Sequence, residues 1–307
     1  MISESMIVTI LRSALGFLAR SLPSNAPEFI YEKILRGPLR SLFNWGMLLI
    51  IPAQIKIPEG ALMLNTHDPI ISGMLTLGIF EPYETILFRE ALQEGMVVVD
   101  IGANIGLFSV IAATRVGESG SVIAFEPEPE NYALLKKNIE KNKLKNVTLY
   151  QKAVADKPGQ LTLHIYDANK GKHSLVKDVT DAPGFNSDVL VEVVQLDTVL
   201  GEKHIRPNII KMDIEGAESL ALLGMESALA SCTILFMEFT PDSVRKVGHD
   251  PETVLKKLEK QGFGLFRINE KERKKERVMD YKAFIESIPP AHAANLYGAR
   301  FLNTTNL

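Results

Sequence analysis

Val97-Val98-Val99-Asp100-Ile101-Gly102-Ala103-Asn104-Ile105-Gly106 passes from an unbroken apolar run into a turn punctuated by glycine. Val97 to Val99 read as a strand buried on both faces of a parallel sheet. Gly102 lets the backbone turn sharply. Gly106 lets a helix, predicted to begin near Asn104, come close to the strand and to a ligand. About twenty residues further on, Val122 to Phe125 form a second apolar strand that ends in Glu126. An acidic side chain at that position accepts hydrogen bonds from both hydroxyls of a ribose. Strand, turn, helix, strand and terminal acid in this order predict a nucleotide-type cofactor cleft.

The departure from the dinucleotide fingerprint narrows the cofactor. The second glycine of that fingerprint clears the backbone for a pyrophosphate, and here the position holds Asn104. A side chain there obstructs a pyrophosphate but tolerates a ligand without phosphate. S-adenosyl-L-methionine is such a ligand, with adenosine at one end and an amino acid at the other.

Outward from this core, apolar strands alternate with amphipathic stretches, the pattern of an α/β doubly wound parallel sheet. Strands are predicted at 96–100, 122–126, 147–153, 209–213, 234–239, 264–268 and 296–301. Helices are predicted at 105–115, 130–141, 216–223 and 251–261, several opening with proline or acidic residues suited to a first turn. Alternating stretches at 161–166 and 189–195 flank a segment rich in Gly, Asp and His, which reads as a hairpin-like cap over the cleft, inserted around 157–195. The division follows: an N-terminal apolar and helical extension over 1–80, and a Rossmann-like domain over 81–307.

The chain has 307 residues, 46% of them apolar, and a net charge of -3, so neither nucleic acid nor an anionic membrane attracts it as a whole. No DNA partner is expected. The charged run Lys271 to Arg277 carries no aromatic residue and reads as a solvated loop. The single cysteine, Cys232, opens an apolar run and is expected to be buried and inert. No segment is long enough to span a bilayer and the start is a poor secretory signal, which predicts a cytoplasmic protein. Within the extension, Ile7, Ile10, Leu11, Ala14, Leu15 and Leu18 recur at helical spacing with Arg12 and Arg20 off that face, and Leu42 to Ile51 includes Trp45. Such stripes serve most often as core or subunit contacts. Packing on its own domain, a homodimer, and peripheral contact with the inner face of the membrane are the three readings left open.

Ligands of open α/β sheets bind beyond the carboxyl ends of the strands. Asp100, Glu126, Asp213 and Glu238 stand at such ends and would repel one another unless they meet donors or a cation. S-adenosylmethionine brings a sulfonium, an ammonium and ribose hydroxyls. Asp213 is compatible with helix capping as well as chemistry. His67, His164 and His249 read as ordinary histidines, and no cluster has structural-zinc spacing, so no metal is predicted, with magnesium among the carboxylates left open.

Asp68-Pro69-Ile70-Ile71-Ser72, Phe80-Glu81-Pro82, Asp100 to Gly106, Phe125-Glu126-Pro127, Ala153-Val154-Ala155-Asp156, His173-Ser174-Leu175 and the Lys211 to Glu218 run KMDIEGAE together resemble the FkbM-type methyltransferases. The resemblance runs from Asp68 to about Arg300 and implies a class I methyltransferase-like sheet, mostly parallel with the last strand antiparallel, using S-adenosylmethionine. It implies O-methylation of a small-molecule or saccharide acceptor, a glycolipid or a related metabolite. Carried over by position, Asp100, Gly102, Asn104 and Gly106 belong to the cofactor loop, the last three beside the methionine portion. Glu126 would hold the ribose, and Val154 and Asp156 the adenine edge. Glu81 would lie near the methionine amino group or close the site. Asp213 is the expected catalytic residue, with His173 of the cap as the second candidate. His173 also departs from the family, which commonly has a small residue there. The rival functions are a nicotinamide oxidoreductase, disfavoured by Asn104, an RNA methyltransferase, and a non-catalytic binding or scaffold protein.

Overall fold

The computed structural model describes residues 4–22, 38–166, 173–176 and 185–300. Its strands are β1 (Gln54–Ile57), β2 (Gly60–Met63), β3 (Val97–Ile101), β4 (Ser121–Phe125), β5 (Val147–Tyr150), β6 (Ala153–Val154), β7 (Gly159–Tyr166), β8 (Phe185–Val194), β9 (Ile209–Met212), β10 (Ile234–Phe239), β11 (Phe263–Asn269), β12 (Lys274–Arg277) and β13 (Ala294–Arg300). Eight of them form one sheet in the order β12-β11-β13-β10-β9-β3-β4-β5. From β5 to β10 every pairing is parallel, and β13 inserts antiparallel between β10 and β11. This is the class I methyltransferase architecture, with a mainly helical N-terminal region.

The middle strands are apolar throughout because helices cover both faces. Successive side chains alternate between the layers: Val98 and Val122 pack into one with Val110 and Ile111, Val99 and Ile123 into the other with Met212 and Phe239.

Several boundaries differ from the sequence expectation. The helix after the glycine turn runs Leu107–Val116, not from Asn104. Asn104 and Gly106 both have positive φ, 50° and 92°, and spend the intervening residues on a tight turn. The expected strand 147–153 breaks after Tyr150, and Ala153–Val154 pairs instead in a three-stranded sheet ordered β6-β8-β7. The expected hairpin is present as antiparallel β7 and β8; the middle of the cap, at 167–172 and 177–184, lies outside the described residues, as does Phe301. Four residues of the charged run form β12, an edge strand paired with β11 rather than a loop. Charged side chains on an edge discourage further strand pairing.

The N-terminal region is joined to this sheet by side chains. Asn138, on the helix Pro129–Lys141, accepts from the Met63 N–H at 2.6 Å and donates to the carbonyls of Met63 and Ile105 at 3.0 and 2.7 Å. Asn142 makes the equivalent pair of bonds with Ala61, at 2.9 and 2.7 Å. In the β1–β2 turn, Glu59 receives two hydrogen bonds from Arg89 at 2.9 Å and one from Arg115 at 3.0 Å. Burial would raise its carboxyl, but the two guanidiniums hold it below its ordinary value. The stripe from Ile7 to Leu18, by contrast, is not core: Ile7, Ile10, Leu11, Leu15 and Leu18 are exposed.

Candidate active site

The chain leaves β3 toward β4 on one side and returns to β9 on the other, so a crevice opens beyond the carboxyl ends of β3 and β9. Gly102, with φ of 79°, sits where the two strand ends meet; a Cβ there would lie 1.8 Å from the carbonyl oxygen of Asp213. The N–H groups of Gly102 and Ala103 donate to the Phe125 carbonyl at 2.9 and 3.0 Å, which holds the turn against the end of β4.

Glu126 occupies the next position. Its Oε2 accepts from the Asn104 N–H at 2.8 Å and its Oε1 from the Glu128 N–H at 2.9 Å. Burial outweighs these bonds and pushes the carboxyl up to about 8. Each oxygen keeps one further acceptor position. The cap reaches the cleft through Ser174, which exchanges backbone hydrogen bonds with His164 of β7 and donates its hydroxyl to the Glu215 carbonyl at 2.6 Å. That anchor sets His173 and Leu175 at the cleft wall.

Of the residues singled out in the sequence, Gly102, Asn104, Glu126, Val154, His173 and Asp213 line one cleft. Four others are elsewhere. Asp100 is buried behind β3, where the Ser109 hydroxyl donates to it at 2.6 Å. Gly106 faces the helix Pro129–Lys141, with a Cβ there 2.6 Å from the Leu135 side chain, so it serves packing. Asp156 is outside the cleft wall, and its carbonyl accepts a hydrogen bond from the Gln195 amide. Glu81 belongs to a carboxylate network beside the cleft and accepts from Asn295 at 3.2 Å.

Lys211 is the centre of that network. It is almost fully buried, 3.2 Å from Asp213, 4.0 Å from Glu84 and 4.3 Å from the Phe108 ring centroid. Burial would lower its pKa, but Asp213, Glu84, Glu81 and Asp100 together raise it, so the ammonium is retained. The acids outnumber this cation. Glu81 and Glu218 are each pushed up to about 7, chiefly by burial, and Glu84 and Glu238 are driven well above their ordinary values by burial and neighbouring carboxylates. One oxygen each of Glu84, Glu218 and Glu238 is buried without a hydrogen-bond partner. Asp213, Glu215 and Glu238 place carboxylate oxygens within 4.8 Å of one another.

Residues 100–265, which run from the end of β3 to the start of β11 and include every cleft residue above, match the methyltransferase FkbM domain family. The chain belongs to the FkbM methyltransferase family. Its members are S-adenosylmethionine-dependent. Among relatives, methyltransferase 1 of Beauveria bassiana is 27% identical over 42% of this chain and 58% of its own length. The hexuronic acid methyltransferase AglP of Haloferax volcanii is 26% identical over 56% of this chain and 65% of its own. The 31-O-demethyl-FK506 methyltransferase FkbM of Streptomyces tacrolimicus is 30% identical over 57% of this chain and 76% of its own. The chain thus spans less than two thirds of the first two relatives' length.

The FkbM cofactor suits the donor set seen here. Glu126 brings acceptor positions for ribose hydroxyls to the cleft, and Asp213 and Glu215 bring carboxylates to its wall, which suits a ligand that carries cationic sulfur and nitrogen. Sequence reasoning about the FkbM motifs missed Lys211, Glu84 and Glu218 as a charge network. The available signal was Lys211, one charged residue inside the otherwise apolar Ile209–Met212.

Proposed function

We propose that this protein is an S-adenosylmethionine-dependent O-methyltransferase acting on a hydroxyl of a saccharide, glycolipid or related metabolite. The observation that carries this reading is the meeting of Glu126, the Gly102–Asn104 turn, Asp213 and His173 around one cleft. The names of two relatives, a hexuronic acid methyltransferase and a 31-O-demethyl-FK506 methyltransferase, support a saccharide-type acceptor and methylation at oxygen.

Bound cofactor supplies a methyl carbon already activated by the sulfonium. Glu126 would hold the ribose, Gly102 and Asn104 the methionine portion, and Val154 the adenine edge. Asp213 orients the acceptor hydroxyl and takes its proton as that oxygen becomes the nucleophile; the bound cofactor would supply the methyl group and keep the sulfur–carbon bonding pair as a neutral thioether. His173 closes the cleft from the cap and is the second candidate for the proton. Glu81, with Glu84 and Lys211, acts from behind Asp213 as a positioning group. The cap from β7 to β8 shapes the acceptor pocket.

The test uses the full chain with methyl-labelled S-adenosylmethionine and a panel of hexuronic acids, neutral glycosides and glycolipids, read by mass spectrometry. A methyl ether formed by the wild type and lost in Asp213→Asn supports the proposal. Failure to bind S-adenosylhomocysteine would sink it in favour of a scaffold that has kept only the fold. Methylation of RNA but of no saccharide would overturn the acceptor class.

A further inference from the structure

The helices Glu4–Ser21 and Pro38–Ile50 are amphipathic in the inverted sense. The first turns Val8, Arg12, Gly16 and Ala19 toward the protein and leaves its large apolar residues outside. Arg12 and Arg20 donate inward, to the carbonyls of Ile50 at 2.6 Å and Leu77 at 2.8 Å, each at a helix end. The outer face of the pair carries Phe17, Leu18, Leu42 and Trp45, between 60% and 70% exposed, with more aliphatic side chains between them. A monomer in water rarely shows so wide an apolar face, and such a face marks an interaction site.

We propose that this face docks on an anionic phospholipid surface. Charge favours that occupant. Residues 4–22 and 38–51 hold three arginines, Arg12, Arg20 and Arg40, against one acid, Glu4, within a chain whose net charge is -3. A carbonyl accepts a hydrogen bond from an arginine without cancelling its charge, so the basic bias persists beneath the apolar face. Two copies meeting here would set arginine against arginine, whereas anionic headgroups attract them. The side chains agree: an exposed Trp and Phe suit the headgroup level of a bilayer. No helix among the described residues is long and apolar enough to cross a membrane, so the contact lies in the interface plane.

The assignment is independent of the methyltransferase reading and has an internal reporter, because Trp45 is the chain's one tryptophan. The full chain is mixed with phosphatidylcholine vesicles with and without phosphatidylglycerol, and Trp45 emission is followed beside co-sedimentation. A blue shift and pelleting with anionic vesicles, both weakened by salt, are expected. Phe17→Ser combined with Leu42→Ser should lower partitioning at least about tenfold, with S-adenosylhomocysteine affinity unchanged as the check on folding. A blue shift that grows with protein concentration in the absence of vesicles, with doubled mass in sedimentation, would overturn the proposal in favour of a second copy. Shielding of Trp45 from a soluble quencher in dilute protein would overturn it in favour of cover by the chain itself. Equal binding to neutral vesicles would remove the anionic assignment.

Discussion

Gly102 and Asp213 touch across the switch point of the sheet so closely that no side chain fits between them: a Cβ on Gly102 would stand 1.8 Å from the Asp213 carbonyl oxygen. One contact therefore fixes the separation of the glycine turn from the residue proposed to handle the acceptor.

Gly102→Ala is expected to strain a backbone at φ of 79° and to push the two strand ends apart. Its melting midpoint should fall by at least about 4 °C, and its S-adenosylhomocysteine affinity should fall with it in calorimetric titration. Gly106→Ala should also lower the melting midpoint, since it crowds Leu135, but should change affinity much less.

Lys211→Met strands Asp213 and Glu84 without their cation. A destabilisation of about 3–5 kcal/mol is expected in denaturant unfolding. Adding Glu84→Gln to that variant should restore part of the loss, and no recovery would show that the two residues are not coupled.

Stability should fall as pH rises. Glu81 and Glu218 at about 7 and Glu126 at about 8 are raised above their unfolded value of 4.5, so the folded state binds more protons than the unfolded state between these limits. The stability this lends is fully present below about 4.5 and is lost as pH climbs toward 8. Melting curves of the ligand-free protein across that window should show the decline, and Glu126→Gln should flatten its upper part. Cofactor cations favour the ionised acids, so binding at pH 7 should release protons, measured as a dependence of calorimetric heat on the buffer's ionisation enthalpy.

Ser174→Ala removes the hydroxyl that ties the cap to Glu215. About 1 kcal/mol is at stake, a factor of about five in local opening. Limited proteolysis between Tyr166 and Phe185 should accelerate accordingly, with the global melting midpoint nearly unchanged.

The central strands were legible because parallel strands buried on both faces write themselves as unbroken apolar runs, and the glycine turn marks where they end. Strand-end position alone did not say which way a side chain points. Asp100 stands one residue before the end of β3 and faces the layer of Ser109, while Glu126 follows β4 and faces the cleft. Alternation does not separate these two acids, since Asp100 pairs with Ala124, two residues before Glu126; the difference is that Asp100 lies inside its strand and Glu126 lies past the last paired residue of β4. Glu84 was illegible for another reason: on the helix Pro82–Ala91 it reads as a surface acid, and its burial depends on Lys211 arriving from a strand 127 residues later. The β1–β2 hairpin was missed because each strand has only four residues.

The Asn138 side chain grips Met63 and Ile105 at once, so the hairpin and the glycine turn share a fastener. A shortened chain that starts at the Rossmann-like region would cut this stitch and leave a buried amide with nothing to hold at one end. The smallest piece expected to survive on its own therefore begins ahead of Gln54, and the family core borrows its rigidity from residues the shared motifs do not include.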